Sequence, residues 1–490
     1  VQADGARRFQ YNPRILEVLD AIPKGTIYDR NGLPLATSNW DELERHRKEY
    51  QQLGIDIDQA CPRDESRHYP FGSLTFELLG DVRTRARWGA TNASFVERDL
   101  ARRLRGYDDR PTLVEVRNPK TGRMDRVIRY DYREVLPLVR HRYEPDNPEV
   151  RRVLDRPRDV RMSLDARLQL RTASILRDAL QKAGRDKGAA VVMDAVSGDL
   201  LAAVAFPQPD DTADSEETSL DRARYGLYPP GSTFKVVTTM AALRKDQQLA
   251  HRTYQCIRLP DGRVGNYVKG SKRPIRDDIE DTAPHGTLDL ERAVVVSCNA
   301  YFAQLGTYDV GPQALWDTAK LLGIASASPD SAAQLKKSLP QASYGQGQVV
   351  ASPFQMARVA ATIANGGAMP EGRWITDENN QRTDAPRPVV PPETAQTIGR
   401  FMREVVTSGT GRRALGAIPI AGKTGTAELA DAPSHAWFIG FAPYSAAVAK
   451  PSRKIAVSVL VENGVYGGTT AAPAAAALVD AAAKLGLIQP

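Results

Sequence analysis

The feature that most constrains the fold of this chain is an apolar hairpin in its first half. Residues Gly188 to Phe206 read GAAVVMDAVSGDLLAAVAF, in which two apolar runs flank the turn signals between Asp194 and Asp199. Apolar runs of this length, bounded by Asp, Ser and Gly, are typical of strands. The sequence therefore predicts two apolar strands joined by a turn.

Three more strand candidates lie near the end of the chain, at Lys423 to Leu429, Trp437 to Ala442 and Lys454 to Val461. A segment with helical spacing, Leu168 to Ala183, precedes the hairpin, and the Ala-rich stretch Thr470 to Leu485 is helical by propensity. Two strands early, three late and helices between them predict an antiparallel sheet closed by the two ends of one domain. The middle of the chain would then form a helical insertion.

The amino-acid composition of the chain changes near Arg161. The residues before it are rich in Arg, Asp and Pro, with short strand candidates at Thr112 to Val116 and Val127 to Tyr130 joined by a predicted hairpin loop. Asp210 to Ser219 is predicted to form an acidic loop. For 490 residues we expect two to four domains.

Composition excludes several classes of protein. With 42% hydrophobic and 26% charged residues, the chain is globular rather than disordered. Its net charge of +7 is spread along the sequence, so we expect no nucleic-acid partner. The longest weakly polar stretch, Ala471 to Ile488, is interrupted by Pro473, Asp480 and Lys484, which argues against a membrane span.

The chain has three cysteines, Cys61, Cys256 and Cys298, and six scattered histidines. They form no C-x-x-C pair and no metal-ligand spacing, so we predict no structural zinc, no other metal and no cofactor. Cys298 is expected to be a small buried apolar residue. The sequence does not decide whether Cys256 and Cys298 form a disulfide, because an odd number of cysteines neither requires nor excludes one.

The first motif that carries chemistry is Ser232-Thr-Phe-Lys235, which follows a Pro-Pro-Gly break and is the one Ser-x-x-Lys in the sequence. On a helix, residues i and i+3 share a face with Cβ atoms about 5 to 6 Å apart, so the hydroxyl and the amine can share a proton. Burial beside Phe234 and Val236 would lower the pKa of Lys235 and make it a base for the serine. Taken alone, the tetrapeptide is explained more simply by an N-capping serine beside a surface lysine.

Two later motifs could complete such a site. In Ser297-Cys298-Asn299, the hydroxyl could relay a proton, and the amide could hold a substrate carbonyl or orient Lys235. A polar helix cap is the alternative for this tripeptide. Lys423-Thr424-Gly425-Thr426 opens the first late strand, where an extended peptide could add to the edge and the lysine and threonines could grip a carboxylate. Lys120-Thr121-Gly122 repeats these letters, but a hairpin turn explains that copy.

The ordered set of Ser-x-x-Lys, Ser-x-Asn and Lys-Thr-Gly resembles the signature of the penicillin-binding proteins and serine β-lactamases over residues 161–490. The resemblance implies an α+β fold with a five-stranded antiparallel sheet flanked by helices, plus a helical subdomain. Lys24 to Gly32 is similar to the opening motif of class B penicillin-binding proteins, which usually begins with Arg. The other segments that match this class are Arg67–Pro70, Gly80, Glu97, Leu104–Gly106, Ser163–Gln169, Tyr228–Lys235, Tyr344–Gly347, Pro353–Ala357 and Asn365–Gly367.

The resemblance to class B proteins also implies two domains. Residues 1–160 would form a strand-rich, dimerisation-like pedestal, and residues 161–490 would form the transpeptidase domain. Tyr344–Gly347 would be a loop near the site, or simply a turn.

The activity implied by the resemblance is D,D-transpeptidation of peptidoglycan stem peptides that end in D-Ala-D-Ala. Ser232, with Lys235 as general base, would attack the penultimate D-Ala carbonyl, and β-lactams would acylate the same serine. The resemblance also implies an oxyanion hole formed by the backbone N–H groups of Ser232 and Thr426. Ser297 would relay a proton, and Asn299 would bind the amide of the donor peptide. Lys423, Thr424 and Thr426 would bind the terminal carboxylate, and Gly425 would allow the peptide to approach closely.

Three alternatives share this chemistry in part. A D,D-carboxypeptidase and a non-enzymatic β-lactam sensor or scaffold would both keep Ser232 and Lys235. A serine β-lactamase needs a base that activates water, and no Glu occurs from Tyr301 until Glu371. A β-lactamase also has no use for residues 1–160.

Class B enzymes work outside the cytoplasmic membrane beside a polytopic glycan polymerase. The resemblance therefore implies a location in the periplasm or on the outer face of the membrane. It also implies an N-terminal membrane anchor that is absent from this chain, which opens at Val1 without a Met. The pedestal would be the surface that contacts the polymerase.

Overall fold

The structure is a computed structural model that describes residues 11–209, 220–269, 271, 273–376, 385–446 and 453–489. It divides into two compact units, Val1–Met162 and Ser163–Pro490. The predicted acidic loop, Asp210 to Ser219, lies outside the described residues. Within the described parts, no helix combines the length and apolar character that crossing a bilayer requires.

Helices make up most of the regular structure of the N-terminal unit. These helices are α1 (Pro13–Ala21), α2 (Trp40–Arg45), α3 (Arg47–Gln52), α4 (Ile57–Ala60), α5 (Ser73–Leu79), α6 (Val96–Asp99), α7 (Ala101–Arg105), α8 (Leu136–Arg140) and α9 (Pro148–Leu154). Its strands are β1 (Ile27–Tyr28), β2 (Pro34–Ala36), β3 (Thr112–Arg117), β4 (Met124–Arg129) and β5 (Val160–Arg161). Strands β3 and β4 pair antiparallel as expected, and β2, β1 and β5 form a small three-stranded sheet in that order, so the strands of this unit lie in two small sheets.

A buried ion pair joins three of the short motifs of the N-terminal unit. Arg67 Nε donates to Glu97 Oε1 at 2.7 Å, and both side chains are at most 1% exposed. Arg67 Nη1 also donates to the carbonyl oxygen of Gly25 at 2.8 Å, and Tyr69 Oη donates to the same glutamate oxygen at 3.2 Å. A buried charge needs such a partner, so this contact explains why these residue types occur together.

The C-terminal unit contains the long strands. Its helices are α10 (Ala166–Ala183), α11 (Lys235–Lys245), α12 (Leu290–Val295), α13 (Asn299–Leu305), α14 (Gly311–Leu321), α15 (Ala332–Leu335), α16 (Leu339–Ala342), α17 (Pro353–Ala364), α18 (Pro392–Thr407) and α19 (Ala472–Lys484). Its strands are β6 (Gly188–Asp194), β7 (Leu200–Phe206), β8 (Tyr254–Arg258), β9 (Val264–Asn266), β10 (Ile275–Arg276), β11 (Gly286–Leu288), β12 (Ala368–Met369), β13 (Arg387–Pro388), β14 (Ala421–Ala427), β15 (His435–Ala442) and β16 (Ile455–Val461).

The five long strands form one antiparallel sheet in the order β14-β15-β16-β6-β7. The predicted sheet closed by two early and three late strands is therefore confirmed. Every residue of β15 and β16 is buried, so both faces of the sheet are covered. Helices α10 and α19 pack together on the sheet, and α17 and α18 form a second pair against it. Strand β14 is left at an edge, where it can face the insertion.

The insertion between β7 and β14 contains a feature that the sequence did not predict. Strands β10, β9, β8 and β11 form a small four-stranded antiparallel sheet, in that order, beside the helices. These strands are two to five residues long and partly exposed. Short strands with so few buried positions show no clear alternation, which is why only helices were expected here.

Candidate active site

Ser232 lies in a 3₁₀ turn, Gly231–Phe234, that leads directly into α11. The helix predicted to begin at Ser232 thus has one tight turn before its α-helical part. Thr233 Oγ1 donates to the carbonyl oxygen of Pro230 at 2.6 Å and fixes the turn from within. Gly231 has a φ of +52°, a left-handed value that favours glycine after the Pro-Pro pair. The Pro-Pro-Gly break therefore sets the direction in which Ser232 points.

Lys235 is fully buried at the start of α11 and brings the first two motifs together. Its Nζ lies 2.9 Å from Ser232 Oγ, 3.2 Å from Ser297 Oγ and 2.7 Å from Asn299 Oδ1. It also donates to the carbonyl oxygen of Ser297. The predicted proximity of Ser232 and Lys235 is therefore observed in the structure, and the amine contacts every polar side chain assigned to the first two motifs.

Burial lowers the pKa of Lys235 to about 8, against the opposing effect of Asp277 and other nearby acidic groups. A neutral amine has two hydrogens and one lone pair. The carbonyl of Ser297 and Oδ1 of Asn299 can only accept, so they take the two hydrogens and direct the lone pair at the hydroxyls. The neutral lysine is then placed to accept the proton of Ser232.

The Ser-x-Asn segment is held in an unusual backbone conformation. Ser297 has a φ of +63°, which is left-handed and costs about 1 to 3 kcal/mol for a non-glycine residue. The following residue, Cys298, is the N-cap of α13, and its sulfur accepts from the backbone N–H of Tyr301 at 3.3 Å. Asn299 Nδ2 donates to the carbonyl oxygen of Arg276 at 3.1 Å, which fixes the amide with Oδ1 toward Lys235. The segment therefore both caps a helix and serves the site.

Strand β14 brings the third motif to the same place. Lys423 Nζ donates to Ser297 Oγ at 2.8 Å and to the carbonyl oxygen of Thr424 at 2.9 Å. Burial, together with the charge of Lys235, holds the pKa of Lys423 well below its usual range. Ser297 Oγ thus lies between two buried amines, and all five predicted catalytic side chains form one connected network.

A cleft of about 360 Å³ opens over this network. The predicted residues that line it are Ser232, Ser297, Asn299, Thr424 and Thr426, whereas Lys423 lies behind Ser297. A Cβ on Gly231 would lie 2.5 Å from the carbonyl oxygen of Thr426, so the nucleophile turn and the strand edge are in close contact.

Gly425 is in close contact with neighbouring elements of the fold. A Cβ there would lie 2.8 Å from Thr233 Cγ2 and 2.9 Å from Trp437 Cβ. The missing side chain therefore makes room for residues next to the nucleophile turn, and close approach of a peptide at this position stays a prediction.

The Tyr344–Gly347 loop supports the nucleophile turn. The backbone N–H of Gly231 donates to the carbonyl oxygen of Gly345 at 3.0 Å. Gly345 has a φ of +84°, and a Cβ on it would lie 2.0 Å from the carbonyl oxygen of Gly231. This loop is consequently part of the site and more than a surface turn.

Several residues of the cleft were not predicted from the sequence. Thr410 shares a hydrogen bond of 2.6 Å with Thr424 through their hydroxyls, and Arg412 and Arg413 also line the cleft. The opposite charge is supplied by Asp278, Glu280, Asp281 and Glu428. Two glycines flank Thr410, which is a turn signal just before the Lys-Thr-Gly strand and could have identified it. The acidic residues carry no comparable pattern.

One further group of polar side chains lies behind the site. Asp277, which is buried, accepts the backbone N–H groups of Asn299 and Ala300 through Oδ1. Its other oxygen meets Cys256, His285 and Cys298, three potential metal ligands. All three cysteines, Cys61 included, are free thiols in the structure.

Comparison with known proteins gives matches along most of the chain. Residues 188–480 match the penicillin-binding protein transpeptidase domain. The chain is 32% identical over 360 residues to the peptidoglycan D,D-transpeptidase PbpA of Mycolicibacterium smegmatis, which covers 63% of this chain and 70% of that protein. It is 27% identical over 378 residues to the peptidoglycan D,D-transpeptidase MrdA of Acinetobacter baumannii, covering 64% and 52% of the two chains.

Solved structures extend the similarity to both units. The crystal structure of PBPA from Mycobacterium tuberculosis matches with a TM-score of 0.65 and 25% identity, over 94% of this chain and 99% of that one. The penicillin G acyl-enzyme complex of penicillin-binding protein A from the same organism gives a TM-score of 0.65 and 25% identity, over 94% and 100%. The chain belongs to the penicillin-binding transpeptidase family and, with a match that includes its N-terminal unit, is a class B penicillin-binding protein.

Proposed function

We propose that this protein cross-links peptidoglycan by D,D-transpeptidation, with Ser232 as the nucleophile and Lys235 as its general base. The observation that carries the proposal is the position of the buried amine of Lys235, 2.9 Å from Ser232 Oγ. Acyl transfer by a serine needs such a base, because the hydroxyl is a weak nucleophile until its proton is removed. The relatives whose names denote D,D-transpeptidases support the substrate class.

Acylation then runs in two proton transfers. Lys235 Nζ accepts the Ser232 proton as Oγ bonds to the carbonyl carbon of the penultimate D-Ala. The resulting oxyanion lies against the backbone N–H groups of Ser232 and Thr426, a kind of contact worth about 2.7 to 4 kcal/mol per donor. When the amide bond breaks, the proton passes from Lys235 through Ser297 Oγ to the departing D-Ala nitrogen. The bridging position of Ser297 between two amines supports this relay.

The second half of the reaction reverses these transfers. An acceptor amine attacks the acyl-enzyme carbonyl, loses its proton to the same relay, and expels Ser232, which is reprotonated from Lys235. The hydroxyls of Thr424 and Thr426 line the cleft where the terminal carboxylate would bind, and the amine of Lys423 lies behind Ser297. Arg412 supplies a further cation at the rim.

Product analysis separates the proposed function from its alternatives. We expect a donor peptide ending in D-Ala-D-Ala, incubated with an acceptor amine, to give mainly the new amide by mass spectrometry. If only the shortened, hydrolysed peptide formed at saturating amine, the protein would be a D,D-carboxypeptidase. If neither product formed while penicillin gave a stable adduct, it would be a sensor or scaffold.

The pH dependence of acylation is a second expected outcome. Because the pKa of Lys235 is lowered to about 8 and the base acts when neutral, the rate should rise about tenfold per pH unit below 8 and level off above it. The groups whose charges act on this amine are Asp277, Asp278, Asp281, Cys298 and Lys423. The rate constant is measured between pH 6 and 10 by quenching the reaction with fluorescent penicillin at fixed times. A rate constant that does not change with pH would exclude Lys235 as the base.

We also propose that the protein acts on peptidoglycan outside the cytoplasmic membrane, with a glycan polymerase bound to its N-terminal unit. The β3–β4 hairpin is the candidate surface. Leu113 and Ile128 lie opposite each other in this hairpin and are 63% and 52% exposed. Exposed apolar pairs on an isolated hairpin are typical of a surface that is covered by a partner. The expected N-terminal anchor stays a prediction.

A further inference from the structure

Four potential metal ligands converge behind the Ser-x-Asn segment from separate elements of the insertion. Cys256 lies in β8, Asp277 follows β10, His285 precedes β11, and Cys298 caps α13. One donor atom from each residue lies within 4.8 Å of all the others. Cys256, Asp277 and Cys298 are at most 1% exposed, so the cluster is closed to bulk water on most sides.

Four of the six separations between these atoms are close to those of a tetrahedral site. Asp277 Oδ2 lies 3.0 Å from Cys256 Sγ, 3.1 Å from Cys298 Sγ and 3.3 Å from His285 Nδ1. Cys256 Sγ is 3.5 Å from the same His285 nitrogen. Zinc bonds of about 2.0 to 2.3 Å at tetrahedral angles place ligand atoms about 3.3 to 3.8 Å apart. Shifts of a few tenths of an ångström would therefore bring these four separations to tetrahedral values. The other two, from Cys298 Sγ to Cys256 Sγ and to His285 Nδ1, are at most 4.8 Å.

Hydrogen bonding alone explains the cluster poorly. Two thiols and one imidazole nitrogen all lie within reach of the single oxygen Oδ2 of Asp277. A carboxylate oxygen offers about two lone-pair directions, so three donors compete for them. A cation at the centre removes the competition, because it replaces the protons and each ligand then directs one lone pair at the ion.

The surrounding groups are those that orient metal ligands. Asp281 Oδ1 lies 3.6 Å from His285 Nε2, on the side of the ring that faces away from the cluster. The backbone N–H of Tyr301 donates to Cys298 Sγ at 3.3 Å, and Asp277 Oδ1 is held by two backbone N–H groups. A carboxylate behind a ligating histidine and N–H donors to a thiolate are usual second partners in metal sites. A surface pocket lined by Cys256 and Pro284 lies beside the cluster.

We propose that Cys256, Asp277, His285 and Cys298 bind a structural Zn²⁺ ion. Two thiolates with one imidazole and one carboxylate favour zinc among the common divalent ions, and four protein ligands leave no open position for catalysis. Binding releases the two thiol protons and the Nδ1 proton of His285 to solvent, the imidazole keeps its Nε2 proton toward Asp281, and the site is left with a net charge of −1. The proposal goes beyond the transpeptidase reaction, and it replaces the sequence expectation of no metal.

The ion would position the catalytic segment. Cys298 lies between Ser297 and Asn299 in the chain, and the ligand Asp277 also holds the backbone N–H of Asn299. Binding Cys298 and Asp277 to one metal ion would hold Ser297 in its left-handed conformation and would keep the amide of Asn299 against Lys235. Zinc would thus act as a positioning element, at one remove from the reacting atoms.

Metal content of the full chain tests the site directly. We expect about one equivalent of zinc per chain by plasma mass spectrometry after purification with reductant and zinc. Replacing zinc with Co²⁺ should give the strong near-ultraviolet absorption of thiolate–cobalt bonds. His285→Gln and Cys256→Ser each remove a ligand and should lower zinc affinity by more than the roughly 10- to 100-fold that loss of an outer partner costs, whereas the matched control Cys61→Ser should keep full occupancy.

Chelation tests the positioning role. Removing zinc from the wild-type chain should slow acylation by penicillin about tenfold at a temperature where circular dichroism shows an intact fold, and added Zn²⁺ should restore the rate. A merely stabilising ion would change the melting temperature and leave that rate unchanged, which would overturn the positioning role.

Three other results would overturn the site itself. These are a wild-type chain that stays metal-free after incubation with Zn²⁺ and reductant, zinc content unaffected by both variants, or a single free thiol in the denatured, non-reduced protein, which would mean a Cys256–Cys298 disulfide. None of these results would contradict the proposed transpeptidase function, because a metal-free chain that is acylated by penicillin at the normal rate would still be consistent with it.

Discussion

Lys235→Met is expected to slow the acylation of Ser232 by penicillin about 10²- to 10⁴-fold, the usual contribution of a positioned general base. The substitution keeps the length of the buried side chain but removes the amine that touches Ser232 Oγ, Ser297 and Asn299. Without the amine, nothing in the described site is placed to take the serine proton. The rate constant is measured from the time course of fluorescent penicillin labelling.

Lys245→Met is the matched control for this experiment, because Lys245 lies at the exposed far end of the same helix, α11. We expect its acylation rate to equal that of the wild type, and both variants to show native circular dichroism. Acylation of the Lys235→Met variant within a few-fold of the wild-type rate would show that another group removes the proton.

Gly345→Ala is expected to reduce acylation about 10²-fold, although Gly345 contributes no side chain to the cleft. The new Cβ would lie 2.0 Å from the carbonyl oxygen of Gly231 and 2.8 Å from Phe234 Cβ. The nucleophile turn would therefore have to shift, and a displacement of about 1 Å at a reacting atom costs about that factor. The measurement is again the rate of penicillin labelling.

Gly347→Ala separates this effect from backbone strain. Gly347 lies in the same loop with a φ of +77°, so alanine is strained there as at Gly345. Its Cβ would lie 3.5 Å from Ser338 Cβ and 3.7 Å from Gln341 Cβ, which are ordinary contact distances. We expect Gly347→Ala to lower stability without slowing acylation. Equal slowing by both substitutions would contradict the steric account.

The parts of the fold that follow from sequence are those with long apolar strands. The predicted strand at Lys454 to Val461 matches β16 within one residue, and the other four sheet strands match within two. Buried strands show as continuous apolar runs because both of their faces are covered. The helix over Leu168 to Ala183 was equally visible, since its apolar positions repeat with helical spacing.

The catalytic constellation was predictable for a different reason. Ser232 and Lys235 are three residues apart, so local helix geometry alone brings them together. The Ser-x-Asn and Lys-Thr-Gly motifs lie far along the chain, and only their order pointed to a shared site. Their convergence depends on the insertion folding back onto the edge strand β14, which is a property of tertiary structure.

The residues that were missed depend entirely on such long-range packing. Asp277 and His285 lie beside strands of only two and three residues, and their distances along the chain from Cys256 and Cys298 follow no regular spacing. A metal motif read from sequence relies on close, repeated spacing, and this cluster has none. In the same way, the importance of Gly345 lies in its contact with Gly231, which no local pattern reveals.

Formation of the acyl-enzyme on Ser232 can be measured by intact mass spectrometry with peptide mapping. After incubation with fluorescent penicillin, we expect one stable adduct per chain on the Ser232 peptide, persisting for hours. The Ser232→Ala variant should carry no label. An adduct on another residue, or one lost within seconds, would contradict the account.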